Sequence, residues 1–244
     1  MKGRRPRRMQ LHTVLAVALA VAFAAAVAAV VHTLVHPGPP SQPQQLVKLP
    51  VPPWAISVGR PDAPVTLVEL FDVHCPYCAL AHVQLDGLYK RLVAEGRLRL
   101  VLVDYITHPP LSYYSHALLH CAHRLLGENA TYRLVTALYE VLVRERNFSR
   151  QIELLESAVR KLNATCAGAP TPGELENLTR AWDEALERLG VREGGTPTFV
   201  VLRGGAAAVP GPCSPAGRYA YSCGGTAEIV VGADVERLRE LLTR

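Results

Sequence analysis

The chain has 244 residues, 49% of them hydrophobic, and carries 26 Lys and Arg against 21 Asp and Glu for a net charge of +5. Five of the basic residues, Lys2, Arg4, Arg5, Arg7 and Arg8, lie within the first ten, and the rest of the chain is balanced at 21 of each sign. The length allows one large or two small domains, and the balance excludes a polyanion-binding face as the meaning of the basic pI.

After the basic segment, residues 1–10, Val14 to Val31 are uninterrupted Ala, Val, Leu and Phe. Eighteen helical residues reach roughly 27 Å, near the hydrocarbon thickness of a bilayer. Residues 11–35 are therefore expected to be an uncleaved transmembrane signal anchor. The basic residues stay in the cytoplasm and everything after residue 35 lies outside. Residues 36–57, rich in Pro and Gln and without hydrophobic periodicity, read as a semi-extended tether, and residues 58–244 as the folded domain.

That domain opens at the turn-rich Gly59-Arg60-Pro61-Asp62-Ala63-Pro64. Val65 to Phe71 follows as a first strand, too apolar on both faces for a sheet edge. Glu69 is the exception, a carboxylate inside a run expected to be buried, where its pKa would be raised and it could exchange a proton with a neighbouring thiol. The strand runs through Asp72-Val73-His74 into Cys75-Pro76-Tyr77-Cys78 and a helical pattern ending near Glu95 and Gly96. A Cys-x-x-Cys at a helix N-terminus is a redox signature, because the unpaired N–H groups and the helix dipole favour a thiolate at Cys75. No second cysteine pair has metal spacing, and no metal or organic cofactor is required. Leu98 to Val103 reads as a second strand, parallel to the first in a right-handed βαβ unit.

From Ser112 to Gly190 the periodicity is helical, an insertion of about 112–190 whose last helix opens on the capping box Thr171-Pro172-Gly173-Glu174. Thr196-Pro197 then stands at the mouth of another strand, where an X-Pro bond can be cis. An irregular loop with Cys213 and Cys223 follows. Residues Glu228 to Val231 pair back as a hairpin, and an amphipathic helix from Val235 closes the chain.

Gly59-Arg60-Pro61-Asp62-Ala63-Pro64-Val65, Phe71-Asp72 with Cys75-Pro76-Tyr77-Cys78, Gly195-Thr196-Pro197-Thr198-Phe199 and Val231-Gly232-Ala233 together resemble the thioredoxin superfamily, more closely its DsbA-like branch with a helical insertion. The resemblance frames residues 58 to 243 and omits the anchor, the tether and the 203–225 loop. It implies an α/β, thioredoxin-like fold with a central mixed β-sheet. It also implies that Pro197 is a cis-proline facing the Cys75–Cys78 disulfide, that backbone at Thr196 pairs with an extended substrate segment beside Pro76 and Tyr77, and that Glu69 is the family's buried acid. Pro76-Tyr77 between the cysteines differs from the Pro-His of strongly oxidising members and looks more like glutaredoxins and some isomerase-type relatives, and Thr196 before the proline resembles the isomerase-type members.

Cys121, Cys166, Cys213 and Cys223 allow three pairings. The expected bridges are Cys121–Cys166 and Cys213–Cys223, with free buried thiols as the alternative. The chain's four asparagines, Asn129, Asn147, Asn163 and Asn177, all stand in Asn-x-Ser/Thr, a pattern expected by chance on the order of once in ten thousand, and are expected glycosylation acceptors.

These readings converge on a membrane-anchored, extracytoplasmic thiol-disulfide oxidoreductase acting on exported proteins, reoxidised by a quinone-linked membrane partner that the resemblance implies. The same residues run in reverse make a reductase or isomerase. A different class is a non-catalytic peptide- or metal-binding module with His74 as a ligand. Other histidines, such as His82, His120 and His123, read as helix-surface or core residues.

Overall fold

The computed structural model describes residues 15–28, 45–161, 166–205 and 208–244. The chain divides into two units, Met1–Pro43 and Gln44–Arg244. In the first, residues 15–28 form a helix, α1. The expected apolar span runs past α1 at both ends, to positions outside the described residues. Among the described residues no helix is long and apolar enough to cross a membrane.

The second unit is built on a seven-stranded mixed sheet in the order β2-β4-β3-β5-β9-β8-β7. Its strands are β2 (Ile56–Val58), β3 (Val65–Phe71), β4 (Leu98–Asp104), β5 (Thr198–Arg203), β7 (Ser214–Gly217), β8 (Ala220–Cys223) and β9 (Ala227–Val231). Only β3 and β4 pair in parallel, joined through helix α2 (Pro76–Ala94), and the other neighbours are antiparallel. Helix α2 stops at Gly96, whose φ of +70° a glycine adopts at little cost.

The alternation of β3 sorts its side chains to two cores. Leu67 and Phe71 face a core with Cys78, Leu85 and Tyr89 of α2 and with the closing helix α7 (Val235–Thr243). Val68 and Leu70 face a second core with Trp182 and Leu186 of α6 (Pro172–Arg188). Glu69 shares the parity of Leu67 and Phe71, so it points beneath α2. No solvent reaches it.

Three sequence expectations are corrected. The tether does not reach residue 57: Gln45–Lys48 is a strand, β1, pairing with β6 (Ala208–Gly211) in a separate two-stranded sheet, and β2 is hydrogen-bonded to β4. Short apolar repeats such as Val47 and Leu49 were too brief to register as periodicity, yet both are buried. The segment after β5 is not an irregular loop, because β6, β7 and β8 occupy it and β8 pairs with β9. The inserted helices do not form one body between sheet halves. Helices α3 (Leu111–Leu126), α4 (Glu128–Glu145) and α5 (Phe148–Lys161) contribute to the α2 side, whereas α6 packs on the opposite face. Helix α6 begins at the expected capping box, Thr171 with Glu174.

Candidate active site

Cys75 is the N-cap of α2, with Pro76 opening the first turn. The turn that delivers it is fixed by the Cys75 N–H donating to Asp72 O at 3.0 Å. The Cys78 N–H donates to Cys75 Sγ at 3.3 Å, one of the donors that a helix N-terminus leaves free. Across the cleft the Cys75 thiol donates to Thr196 O at 3.4 Å, and the Thr196–Pro197 peptide is cis. Pro197 O accepts from Gly232 N–H at 2.7 Å, which ties this turn to the end of β9. Tyr77 is 66% exposed beside the pair, and both cysteines are thiols in this structure.

The two thiols are held at opposite ends of the acidity range. Hydrogen bonding from the Cys78 thiol, against the effect of burial and together with the N–H groups of Cys78 and Tyr77, pulls Cys75 from 9.0 to about 6. Burial, with Cys75 and Glu69 nearby, pushes Cys78 well above 9.0. At neutral pH the first is mostly thiolate and the second a thiol, the division of labour that exchange requires. Glu69 is raised from 4.5 to about 8 by burial and by the charge at Cys75, so its carboxyl is protonated at pH 7.

Asp72 organises the turn and was visible in the sequence only as half of Phe71-Asp72. Its Oδ1 accepts from His74 N–H and the Ser112 hydroxyl, and its Oδ2 from the N–H groups of Thr107 and His108 and the Thr107 hydroxyl, at 2.7 to 3.0 Å. Burial works to raise its pKa, but the buried His116 ring, 3.8 Å from Oδ1, and the N–H groups of His74 and Thr107 hold it well below the usual carboxylate range. The Thr107 hydroxyl lies 3.1 Å from Thr196 Oγ1, so the same carboxylate steadies both sides of the cleft. Asp72→Ala would strand the buried His74 N–H and Ser112 hydroxyl and loosen three part-buried donors on Thr107 and His108, and is expected to cost about 3 kcal/mol in a urea unfolding measurement on the oxidised protein. An unchanged midpoint would remove this role.

His74 is buried, with Nδ1 2.9 Å from Gln151 Oε1 and Nε2 2.8 Å from the Ser115 hydroxyl. The amide oxygen can only accept, so Nδ1 carries the proton and Nε2 accepts from Ser115. Neither nitrogen is free for a metal. Gln151 also donates to Val73 O and Leu138 O, which locks α5 to the turn.

A second cluster, Asp104, His116 and His120, offers three buried ligand atoms within 4.8 Å of one another. The Val73 N–H donates to His116 Nε2 at 3.1 Å, which assigns the ring proton to Nδ1, 2.5 Å from Asp104 Oδ1. His120 Nε2 lies 2.9 Å from the same carboxylate. His116 therefore has no lone pair left, and the donor set fits a hydrogen-bonded brace behind Val73 rather than a metal site.

Cys121 is bonded to Cys166 and Cys213 to Cys223, bridging α3 to the segment after α5, and β8 to the turn after β6. Asn129, Asn147 and Asn177 are exposed, while Asn163 lies outside the described residues. Sequence reasoning missed Thr107, Ser112, Ser115, His116 and Gln151. Each sits in or next to the insertion, with no motif to mark it.

A family model described as Thioredoxin matches residues 53–203, more than half of the chain. The chain belongs to the thioredoxin family. No curated protein matches it by sequence. Among solved structures it is similar to alpha-DsbA1 of Wolbachia pipientis, at 13% identity over 79% of this chain and 90% of that one, with a TM-score of 0.53. It is also similar to a thioredoxin-like oxidoreductase of Silicibacter pomeroyi, at 25% identity over 80% and 94% of the two chains with a TM-score of 0.46. BdbD of Bacillus subtilis follows at 13% identity, 83% and 97% coverage and a TM-score of 0.49. The Wolbachia likeness shows a shared thioredoxin-family fold, and the chemistry rests on the site itself.

Proposed function

We propose that the protein is a thiol-disulfide oxidoreductase that forms or exchanges disulfides in exported proteins through Cys75 and Cys78. The observation that carries this is the unequal pair: a Cys75 thiol lowered to about 6 at the N-cap of α2, facing Thr196, and a Cys78 thiol driven above 9.0 beside a protonated Glu69. In the oxidising direction a substrate thiolate attacks Cys75 Sγ, the Cys75–Cys78 bond breaks, and a substrate–Cys75 disulfide forms. Cys78 leaves as a thiolate and takes a proton, for which Glu69 is the donor. A second substrate thiolate then attacks the substrate sulfur, releasing the substrate disulfide and Cys75 as the stable thiolate.

The setting is part of the proposal. The basic residues before α1 and the apolar run around it support an N-terminal membrane anchor with the thioredoxin-family unit outside the cytoplasm. The disulfides Cys121–Cys166 and Cys213–Cys223 and the exposed sequons at Asn129, Asn147 and Asn177 support the same side. A quinone-linked membrane protein is the proposed reoxidant. Extended substrate would pair with the backbone at Thr196, flanked by Pro76 and Tyr77.

The test is the reduction potential of a soluble fragment, residues 44–244, equilibrated against glutathione. Thiol pKa values of about 7 in thioredoxin and about 3.5 in DsbA accompany potentials of about −270 and −120 mV, so a thiol at about 6 is expected near −230 mV. There the pair runs in either direction according to its partner. A pair that exchanges no electrons at any glutathione ratio would overturn the enzyme reading in favour of a binding module.

A further inference from the structure

We propose that His82, the Thr136 hydroxyl and Asp86 form a proton route along one stripe of α2 that connects Glu69 and Cys78 with solvent. This deepens the exchange chemistry proposed above and rests on it. Cys78, His82, Asp86 and Lys90 follow one another at four-residue spacing, which stacks them on one helix face. Exposure rises along the stripe: Cys78 and His82 are inaccessible, the Asp86 side chain is 19% exposed and that of Lys90 is 54% exposed.

The outer half is a continuous set of hydrogen bonds. Lys90 Nζ donates to Asp86 Oδ2 at 2.7 Å, and the Tyr132 hydroxyl to Asp86 Oδ1 at 2.9 Å. The Thr136 hydroxyl lies 3.4 Å from Asp86 Oδ1 and 3.0 Å from His82 Nε2. The inner half is a group of buried polar atoms with no protein partner among the described residues: both Glu69 oxygens, the Tyr89 hydroxyl and His82 Nδ1. Buried polar atoms are almost always paired, and these four, on β3 and α2 with Tyr89 feeling the charge of Glu69, leave donors and acceptors for bridging water to satisfy. Tyrosine rings enclose the site, with centroids 6.1 Å (Tyr89), 5.2 Å (Tyr132) and 5.2 Å (Tyr139) from that of His82.

An imidazole is suited to the middle of such a route because it accepts a proton at one nitrogen and gives one from the other without net charge. Burial lowers His82 to about 4, with Asp86 opposing and Lys90 assisting, so the ring is neutral at working pH. Charge reaches this stripe from Glu69 on β3, from Cys75 at the head of α2, and from Asp86 and Lys90 farther along it; the tyrosines of α2 and α4 stay neutral. The step balances. When the disulfide opens, Glu69 gives its proton to the Cys78 thiolate and becomes a carboxylate. It regains one from His82 Nδ1 through water, while His82 Nε2 takes one entering from solvent at Asp86 through Thr136. One proton enters at the surface, and one ends on Cys78. His82 touches neither substrate nor the reacting sulfurs, so it is a positioning residue for the proton.

The test follows the reduction of the oxidised full-length protein by dithiothreitol between about pH 5 and 9, in H2O and D2O, by acid quench and thiol counting. His82→Phe is expected to slow the reaction about tenfold near neutral pH and to enlarge the solvent isotope effect. Asp86→Asn should act in the same direction more weakly, and Cys75 titration, read by ultraviolet absorbance, should not move in either. Thr136→Val carries the test if His82→Phe does not fold. Wild-type pH profiles and isotope effects in the variants would overturn the route and leave the oxidoreductase reading intact. A rate loss with an unchanged isotope effect and a moved Cys75 titration would also overturn it, as a structural role. An inert wild-type protein would instead remove the oxidoreductase reading on which the route rests.

Discussion

Cys75→Ser is expected to abolish disulfide exchange, by about a thousandfold or more, whereas Cys78→Ala should accumulate a covalent adduct of substrate with Cys75. The asymmetry comes from the helix start. The Cys75 sulfur receives the Cys78 N–H and its thiol is drawn down to about 6, so it is the nucleophile and the better leaving group at neutral pH. A serine hydroxyl in the same place stays protonated and forms no sulfur bond. Cys78, inaccessible and held as a thiol, closes the disulfide with Cys75 and, in the reducing direction, resolves the adduct. Alkylation by iodoacetamide gives the matching pH dependence: labelling of Cys75 should rise through about pH 6 and level off, with Cys78 unlabelled until well above pH 9. Equal labelling of the two cysteines, or no adduct in Cys78→Ala, would count against the assignment. Mass spectrometry reads both.

Glu69→Leu is expected to stabilise the protein while impairing exchange. The folded Glu69 carboxyl titrates at about 8 instead of 4.5, because burial penalises its charged form. Between those values the folded state binds the proton more tightly than the unfolded chain, so stability falls as pH rises through the window and is flat beyond it. The difference corresponds to roughly 5 kcal/mol at or above pH 8, and little of it remains below about pH 4.5. Both carboxyl oxygens also lack a protein partner among the described residues, a cost that leucine removes. Guanidinium unfolding of the reduced form at pH 5 and pH 8 should therefore separate variant from wild type most at the higher pH. A gap that narrows with rising pH would contradict the burial argument. Slower release of Cys78 in the same variant would show why a destabilising acid is kept.

Much of this was legible in the chain before folding was considered. Val65 to Phe71 alternates between two buried faces, and one carboxylate at Glu69 breaks the run. Cys75 and Cys78 follow a strand and open an amphipathic helix, and Gly96 ends that helix. Thr171 and Glu174 announce a capping box. Such signals are local, carried within one turn or one strand by backbone donors, side-chain period and φ preference. The pairings of β1 with β6 and of β8 with β9 escaped, because strands of four or five residues leave no measurable period and gain their identity from their partners.

The sequence by itself picked out the candidate reacting groups: two cysteines at a helix start, one acid in an apolar strand and one proline at a strand mouth. Tertiary structure decided how those groups behave. Thr196 meets Cys75 across 121 positions of chain, and Gln151 and Ser115 reach His74 from inserted helices. Asp72 gathers its donors from residues 74 to 112. The acidity of a thiol or a carboxyl depends on which donors, charges and apolar walls surround it within a few ångströms. Those neighbours are chosen by the packing of distant segments, which no local pattern encodes.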